Sequence, residues 1–208
     1  MSDSSNKGPT IAAVVSHVVN NFDVWKLNFD DQEIPRRKAG LLGHHLNREM
    51  DNPKHVTGFF PCADRAEAEA FFNSDDLRES MRASGIIGSP HIDWVHPIRY
   101  NAIRDRQLPA ALIVHNVNNV DSWLAEYDKG ADLRRNAGIL GDAVNQSLDD
   151  PTLLIVYHQA ETFKELRDFL ASEEVVAVMR RAGITTPPDI TYHLGDYGTR
   201  YGDNDDHY

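Results

Sequence analysis

Short apolar runs rich in β-branched residues recur along the chain in a fixed order, separated by polar segments that open on capping side chains. Ile11–Val19 and Ala111–Val117 read as first strands, Leu41–Met50 and Ile139–Leu148 as second strands. Val56–Phe60 and Leu153–His158 give a third pair, about Ile92–Pro97 and Ile190–Leu194 a fourth. After each first strand, Asp23 or Asp121 opens a helix carrying Trp25 or Trp123, and an Arg pair followed by Ala-Gly closes it. Asp51-Asn52-Pro53 and Asp149-Asp150-Pro151 are turns. Asp64-x-x-Glu67 and Thr162-x-x-Glu165 have capping-box spacing, in which an oxygen side chain accepts from first-turn amides and the Glu reaches back. Ser74 and Ser172 are fresh caps inside the same region, so two helical segments are expected there, closed by Gly85 and Gly183.

The order repeats because the sequence repeats. Shifting the chain by 98 residues lays Ala12–Ile92 over Ala110–Ile190 without a gap, with 27 of the 81 positions identical. Each copy reads β-α-β-β-α-β, a ferredoxin-like unit with helices on one face of an antiparallel sheet. The bare faces of two such sheets can bury each other. The expected fold is therefore α+β: two tandem βαββαβ units forming a barrel within one chain. The expected layout is a flexible N-terminus (1–10), a first copy (11–99), a linker (100–109), a second copy (110–199) and an acidic tail (200–208).

Composition narrows the function classes. The formal net charge is −11, from 21 Lys+Arg against 32 Asp+Glu, and the densest basic cluster is Arg36-Arg37-Lys38. Such a surface repels a phosphate backbone, so nucleic acid is not an expected partner. No apolar run approaches membrane-spanning length, and the first ten residues lack the apolar core of a signal peptide. The single cysteine, Cys62, allows no intramolecular disulfide and reads as a small residue near a strand end rather than a reactive thiol. A soluble, cytoplasmic protein without a membrane partner is expected.

The residues that repeat also carry a resemblance. His17-Val18-Val19-Asn20-Asn21-Phe22-Asp23-Val24-Trp25, Arg37-Lys38-Ala39-Gly40-Leu41-Leu42-Gly43, the Asp-Asn-Pro turn, Met81-Arg82 through Gly85-Ile86, and their counterparts in the second copy are similar to the dimeric α/β-barrel superfamily. Within it the chain most resembles small antibiotic-biosynthesis-monooxygenase-like or cyclase-like proteins. The resemblance spans both copies. It implies a range of activities: cofactor-free quinone-forming oxygenases, polyketide cyclases, lactone isomerases, haem-degrading enzymes, haem peroxidases and proteins without activity. The usual member is one unit that pairs as a homodimer; here the two units are fused, which frees them to diverge. Pairing beyond this internal pseudo-dimer is left open.

The candidate chemistry centres on histidine. His17 and His115 hold equivalent positions on the first strands, each sharing a face with aliphatic residues. Two readings stand: a core histidine bonded to a neighbour, or a cavity-lining base whose burial keeps it neutral. Asn20 and Asn118 either cap the following helix or orient a substrate carbonyl. Trp25 and Trp123 pack on the sheet or wall a cavity. Arg37 and Arg135, with Arg36 and Arg134, clamp an anion or complement a helix dipole. His44, His45 and His55 of the first copy face Asp142, Ala143 and Leu153 of the second, while Tyr157 and His158 replace Phe59 and Phe60. If the second and third strands form a hairpin, these first-copy histidines could approach His17, and the first copy would be the more reactive.

No ligand spacing for a dedicated metal site appears, and no phosphate-binding glycine loop. Haem needs a single axial histidine and remains a minority reading against no cofactor at all. The expected function is a cofactor-independent enzyme (monooxygenase-like, cyclase or isomerase) that uses a histidine general base on a small apolar, aromatic or polyketide-like molecule. The alternative is a non-catalytic ligand-binding or stress-associated barrel.

Overall fold

A computed structural model describes residues 9–196 and 198–201. The expected flexible N-terminus, apart from its last two residues, and the acidic tail beyond Tyr201 lie outside the described residues. The first copy runs β1 (Ile11–Val19), α1 (Phe22–Asp31), α2 (Glu33–Lys38), β2 (Gly43–Glu49), β3 (His55–Cys62), α3 (Arg65–Phe72), α4 (Asp75–Ala83) and β4 (Ile86–Tyr100). The second runs β5 (Pro109–Asn116), α5 (Val120–Lys129), α6 (Ala131–Asn136), β6 (Ile139–Ser147), β7 (Leu153–Ala160), α7 (Phe163–Ala171), α8 (Glu173–Arg181) and β8 (Asp189–Gly195), followed by β9 (Thr199–Arg200).

All eight long strands pair antiparallel and close into a barrel in the order β2-β3-β1-β4-β6-β7-β5-β8, with β8 returning to β2. Closure leaves these eight strands without an open edge. The halves meet where β4 pairs β6, from Val95 opposite Ser147 to Tyr100 opposite Ala143, and where Asn47 on β2 meets Gly195 on β8. β4 is far longer than the expected Ile92–Pro97 because it serves both halves, pairing β1 at its start and β6 at its end.

Strand alternation sorts the side chains into two environments. On β1, Ala13, Val15 and Val19 face the helices and Ala12 and Val14 face the lumen. Two helix-on-sheet cores result, the second built around Leu154, Leu166, Val144 and Val156. The lumen forms a third, smaller packing region.

The helix ends follow the capping logic with one displacement. Asp64, Ser74 and Ser172 accept from first-turn amides, and Thr162 with Glu165 completes a full capping box. The first helices, however, are capped by Asn21 and Asn119, whose side chains accept from Val24 and Ser122 N–H. Asp23 and Asp121 sit inside the first turn, and Asn20 and Asn118 precede the cap and are exposed. Each of these helices is also broken in two. In the first copy Pro35 lacks the N–H that would continue α1, and in the second Gly130 stands at the joint. Among the described residues, no helix is long and apolar enough to cross a membrane.

Candidate functional site

Each half encloses a cleft between its helices and the outer face of its sheet. The second-copy cleft is lined by β5, β7, α5, α6, α7 and α8. A row of rings forms one wall: His115 lies 5.5 Å from Trp123, Trp123 stacks 4.9 Å from Tyr127, and Tyr127 lies 6.1 Å from His158. The i, i+4 spacing of Trp123 and Tyr127 on α5 places both on the sheet-facing side. His115 is only 3% exposed, yet neither ring nitrogen has a hydrogen-bond partner among the described residues. Burial pushes its pKa down to about 4, so the ring is neutral near pH 7.

The far end of the row is polar. Tyr127 Oη donates to Asp142 Oδ2 at 2.7 Å and lies 3.1 Å from His158 Nε2. With its proton committed to Asp142, the hydroxyl accepts from His158, which places the imidazole proton on Nε2 and leaves Nδ1 as a bare acceptor without a partner. Arg134 completes the cluster, its Nε 3.3 Å from Asp142 Oδ2 and its guanidinium 3.7 Å above the Tyr127 ring. Burial, then the nearby Arg134 charge, pushes His158 down to about 4 against the opposing pull of Asp142, and burial raises Tyr127.

The first-copy cleft keeps the near end and loses the far one. His17 lies 5.2 Å from Trp25, both its nitrogens lack partners, and burial takes it to about 4, with His55 contributing. Phe29, His44 and Phe60 then stand where the second copy has Tyr127, Asp142 and His158. The missing hydroxyl arrives from the end of the chain. Arg36 Nε donates to Tyr201 Oη at 2.6 Å, and Tyr201 Oη lies 2.8 Å from His44 Nδ1. β9 holds it there by pairing with β2; a Cβ on Gly43 would lie 2.2 Å from the Thr199 carbonyl, so only glycine admits this pairing. Burial, then the Arg36 charge, pushes His44 down to about 3. Replacing Tyr201 by Phe strands Arg36 Nε and His44 Nδ1 and is expected to cost about 1–3 kcal/mol, measured by urea unfolding. A change below a few tenths would show that β9 does not hold the first half closed.

The first-copy histidines do not gather around His17. Adjacent strand residues point to opposite faces, so His44 faces the helix side, against Phe29 and Tyr201, while His45 enters the lumen, where the hairpin pairs it with Phe59 rather than His55. His55 is opposite Val18 and hydrogen-bonded through Nδ1 to Glu49 at 2.6 Å. Tyr157 also faces the lumen, back to back with His158 in the cleft. Trp25 and Trp123 are buried cleft walls. Arg37 and Arg135 are exposed, beside Glu33 and Asp132, and line neither cleft; their neighbours Arg36 and Arg134 do. Tyr127 and Tyr201 escaped the sequence reading, although the Trp123–Tyr127 spacing was a usable signal for the first; Arg134 figured there only beside Arg135, and Asp142 only as the counterpart of His44. Cys62 is buried, its thiol pushed up to about 11 by burial and then Asp64, which makes it unreactive near neutrality. Among the described residues, no group of three His, Cys, Asp or Glu side chains could hold a metal ion.

These features define a single-chain dimeric α/β barrel of two ferredoxin-like halves, each with an aromatic, histidine-bearing cleft. No family model matches the chain, and neither does any curated protein. Solved structures do share the fold over its full length. An anthrone oxidase-like protein superimposes with a TM-score of 0.69 at 10% identity over 95% of both chains. A candidate monooxygenase from Fusobacterium nucleatum gives 0.66 at 9% identity over 94% of this chain and 96% of its own. Another from Lactobacillus acidophilus gives 0.63 at 9% identity over 93% and 97%. At such identities the likeness is one of fold.

Proposed function

We propose that the protein is a cofactor-independent enzyme that removes a proton from an activated carbon acid or phenol bound in the second-copy cleft, with His115 as the base. The observation that carries this reading is a buried imidazole that lines an aromatic-walled cleft and whose two nitrogens lack a hydrogen-bond partner among the described residues. A core histidine is normally hydrogen-bonded, so this one is built to meet a ligand. His115 and the level of His158 are four residues apart along β5, about 13 Å at the usual strand rise, which suits a molecule of two or three fused rings.

A conjugate acid near 4 is weak for a base working at pH 7, but that value belongs to the empty cleft. An imidazolium formed beside the substrate anion gains about 4 kcal/mol at 4 Å and an effective dielectric of 20, roughly three pK units. That exceeds the fall from 6.5 to about 4 and brings the base into its working range. Trp123 and Tyr127 would hold the substrate plane, and the Tyr127–Asp142–Arg134–His158 cluster would fix its polar end.

The anthrone oxidase-like neighbour supports oxygenation as the downstream step. Deprotonation of a ring CH₂ gives a carbanion that dioxygen oxidises, the CH₂ becoming C=O with one water released, so atoms and electrons balance without a cofactor. Oxygen uptake on anthrone and on simple quinols tests this directly, with the absorption spectrum followed before and after adding haemin. Turnover that is independent of haemin and lost in His115→Ala supports the proposal. Binding without turnover would make the protein a ligand-binding barrel. A Soret band that vanishes in His115→Ala would make His115 an axial ligand instead.

A further inference from the structure

The lumen of the barrel holds a cavity that the reading above does not use. It lies on the opposite face of β5 and β7 from the second-copy cleft. Its polar walls come from His45, Asn47, Asn145 and Tyr157, its aromatic wall from Phe59 and Tyr100, which stack 5.5 Å apart. The chain between the copies closes one end: Gln159, fully buried, accepts from Ile103 N–H at 2.7 Å and donates to the Ile103 carbonyl at 3.0 Å.

The two copies contribute unequally, and the inequality makes the site. Asn47 and Asn145 are equivalent by the repeat, but Ala143 stands where the first copy has His45, and Tyr157 where it has Phe59. Ala143 vacates the volume of an imidazole. Tyr157 Oη donates to Asn47 Oδ1 at 2.7 Å and so satisfies one asparagine. The twin is left over: Asn145 Nδ2 reaches the Ile155 carbonyl at 3.3 Å, but among the described residues Oδ1 has no partner. His45 Nε2 has none either, although His45 is 5% exposed and Asn145 4%. Buried polar atoms lacking partners cost stability, and a barrel interior could be filled with aliphatic side chains instead.

We propose that the lumen is a second binding site, for a small uncharged aromatic alcohol of the phenol class. No residue that lines the cavity is charged, and the charges that reach His45 from outside it, Arg104 and Asp196, oppose each other, so the lining suits an uncharged ligand. Asn145 Oδ1 can only accept, so the ligand must donate. His45 Nε2 can take the complementary role, and its ring meets Tyr157 edge-on at 5.9 Å, leaving aromatic and aliphatic surface for a ring. The site is independent of the cleft: the residues it uses face the other side of the sheet.

Calorimetric titration of the full chain with phenol tests the proposal, with anisole as the analogue that lacks the donor. A saturable phenol site is expected, bound at least tenfold more weakly by anisole. Ala143→Leu, which fills the cavity, should abolish that site and raise the melting temperature, and Asn145→Leu should weaken it at least tenfold. The site should survive His115→Phe, which blocks the cleft. Absence of phenol binding would overturn the proposal and leave the lumen to ordered water. So would a site lost in His115→Phe but retained in Ala143→Leu, since phenol would then occupy the cleft alone. Should Asn145→Leu fail to fold, Ala143→Leu and the anisole comparison decide.

Discussion

Acidification is expected to unfold the protein between about pH 5 and 4. Six histidines, His17, His44, His45, His115, His158 and His193, are held by burial at about 3 or 4 instead of 6.5. Each is neutral in the folded state and free to charge in the unfolded state. Their penalty is absent above about pH 6.5. As the pH falls below that value the unfolded chain takes up protons that the folded chain refuses, and stability drops by about 1.4 kcal/mol per pH unit for each histidine. At pH 5 that is roughly 2 kcal/mol apiece, and typical domains hold only about 5–15 kcal/mol in total, so three or four such groups exhaust the lower part of that range.

Charge repulsion works the other way. The net charge of −11 at pH 7 shrinks toward zero near pH 5.3, which relaxes self-repulsion over the same interval. Loss of far-UV circular dichroism with uptake of at least three protons per molecule would establish the histidine origin, and His158→Phe should move the midpoint to lower pH. A chain still native at pH 3.5 would show that these side chains are hydrated in solution and not buried as described.

The second large effect is catalytic. In the oxygen-uptake assay His115→Ala should lower turnover by about 10²–10⁴-fold, the usual worth of a positioned general base. His17→Ala should cost less than tenfold, because Phe29 and Phe60 stand in the first copy where Tyr127 and His158 stand in the second, and the Tyr201 hydroxyl there is already taken up by Arg36 and His44. Between pH 6 and 8, kcat/KM should be flat, since His115 is already neutral throughout. Asp142→Asn should raise KM more than it lowers kcat, because Asp142 holds Tyr127 and Arg134 rather than the reacting atoms. A greater loss in His17→Ala than in His115→Ala would return the reactive site to the first copy.

Much of the architecture was legible beforehand. The 98-residue repeat, the strand runs and the Ser74, Ser172, Asp64 and Thr162 caps are local signals, and local signals survive folding because each is satisfied within a few residues. The helix start was misplaced by the same kind of reasoning: Asn20, Asn21 and Asp23 all have capping chemistry, and only the backbone path picks Asn21. The site was less legible. Alternation along a strand is plain in a sequence, so the opposed directions of His44 and His45 could be foreseen, but which direction meets helices and which meets the lumen could not.

What the sequence determined by itself is therefore the duplicated βαββαβ order, the cap positions to within a residue or two, and histidine paired with tryptophan in each copy. Those depend on contacts close along the chain or on the repeat itself. Tertiary structure alone decided that Tyr127, Asp142, His158 and Arg134 converge, that Tyr201 reaches back 157 residues to His44, and that His45 shares a lumen with Tyr157. Those contacts exist because eight strands close into a ring, and closure sets neighbours by the pairing of β4 with β6 and β8 with β2, which no stretch of sequence contains.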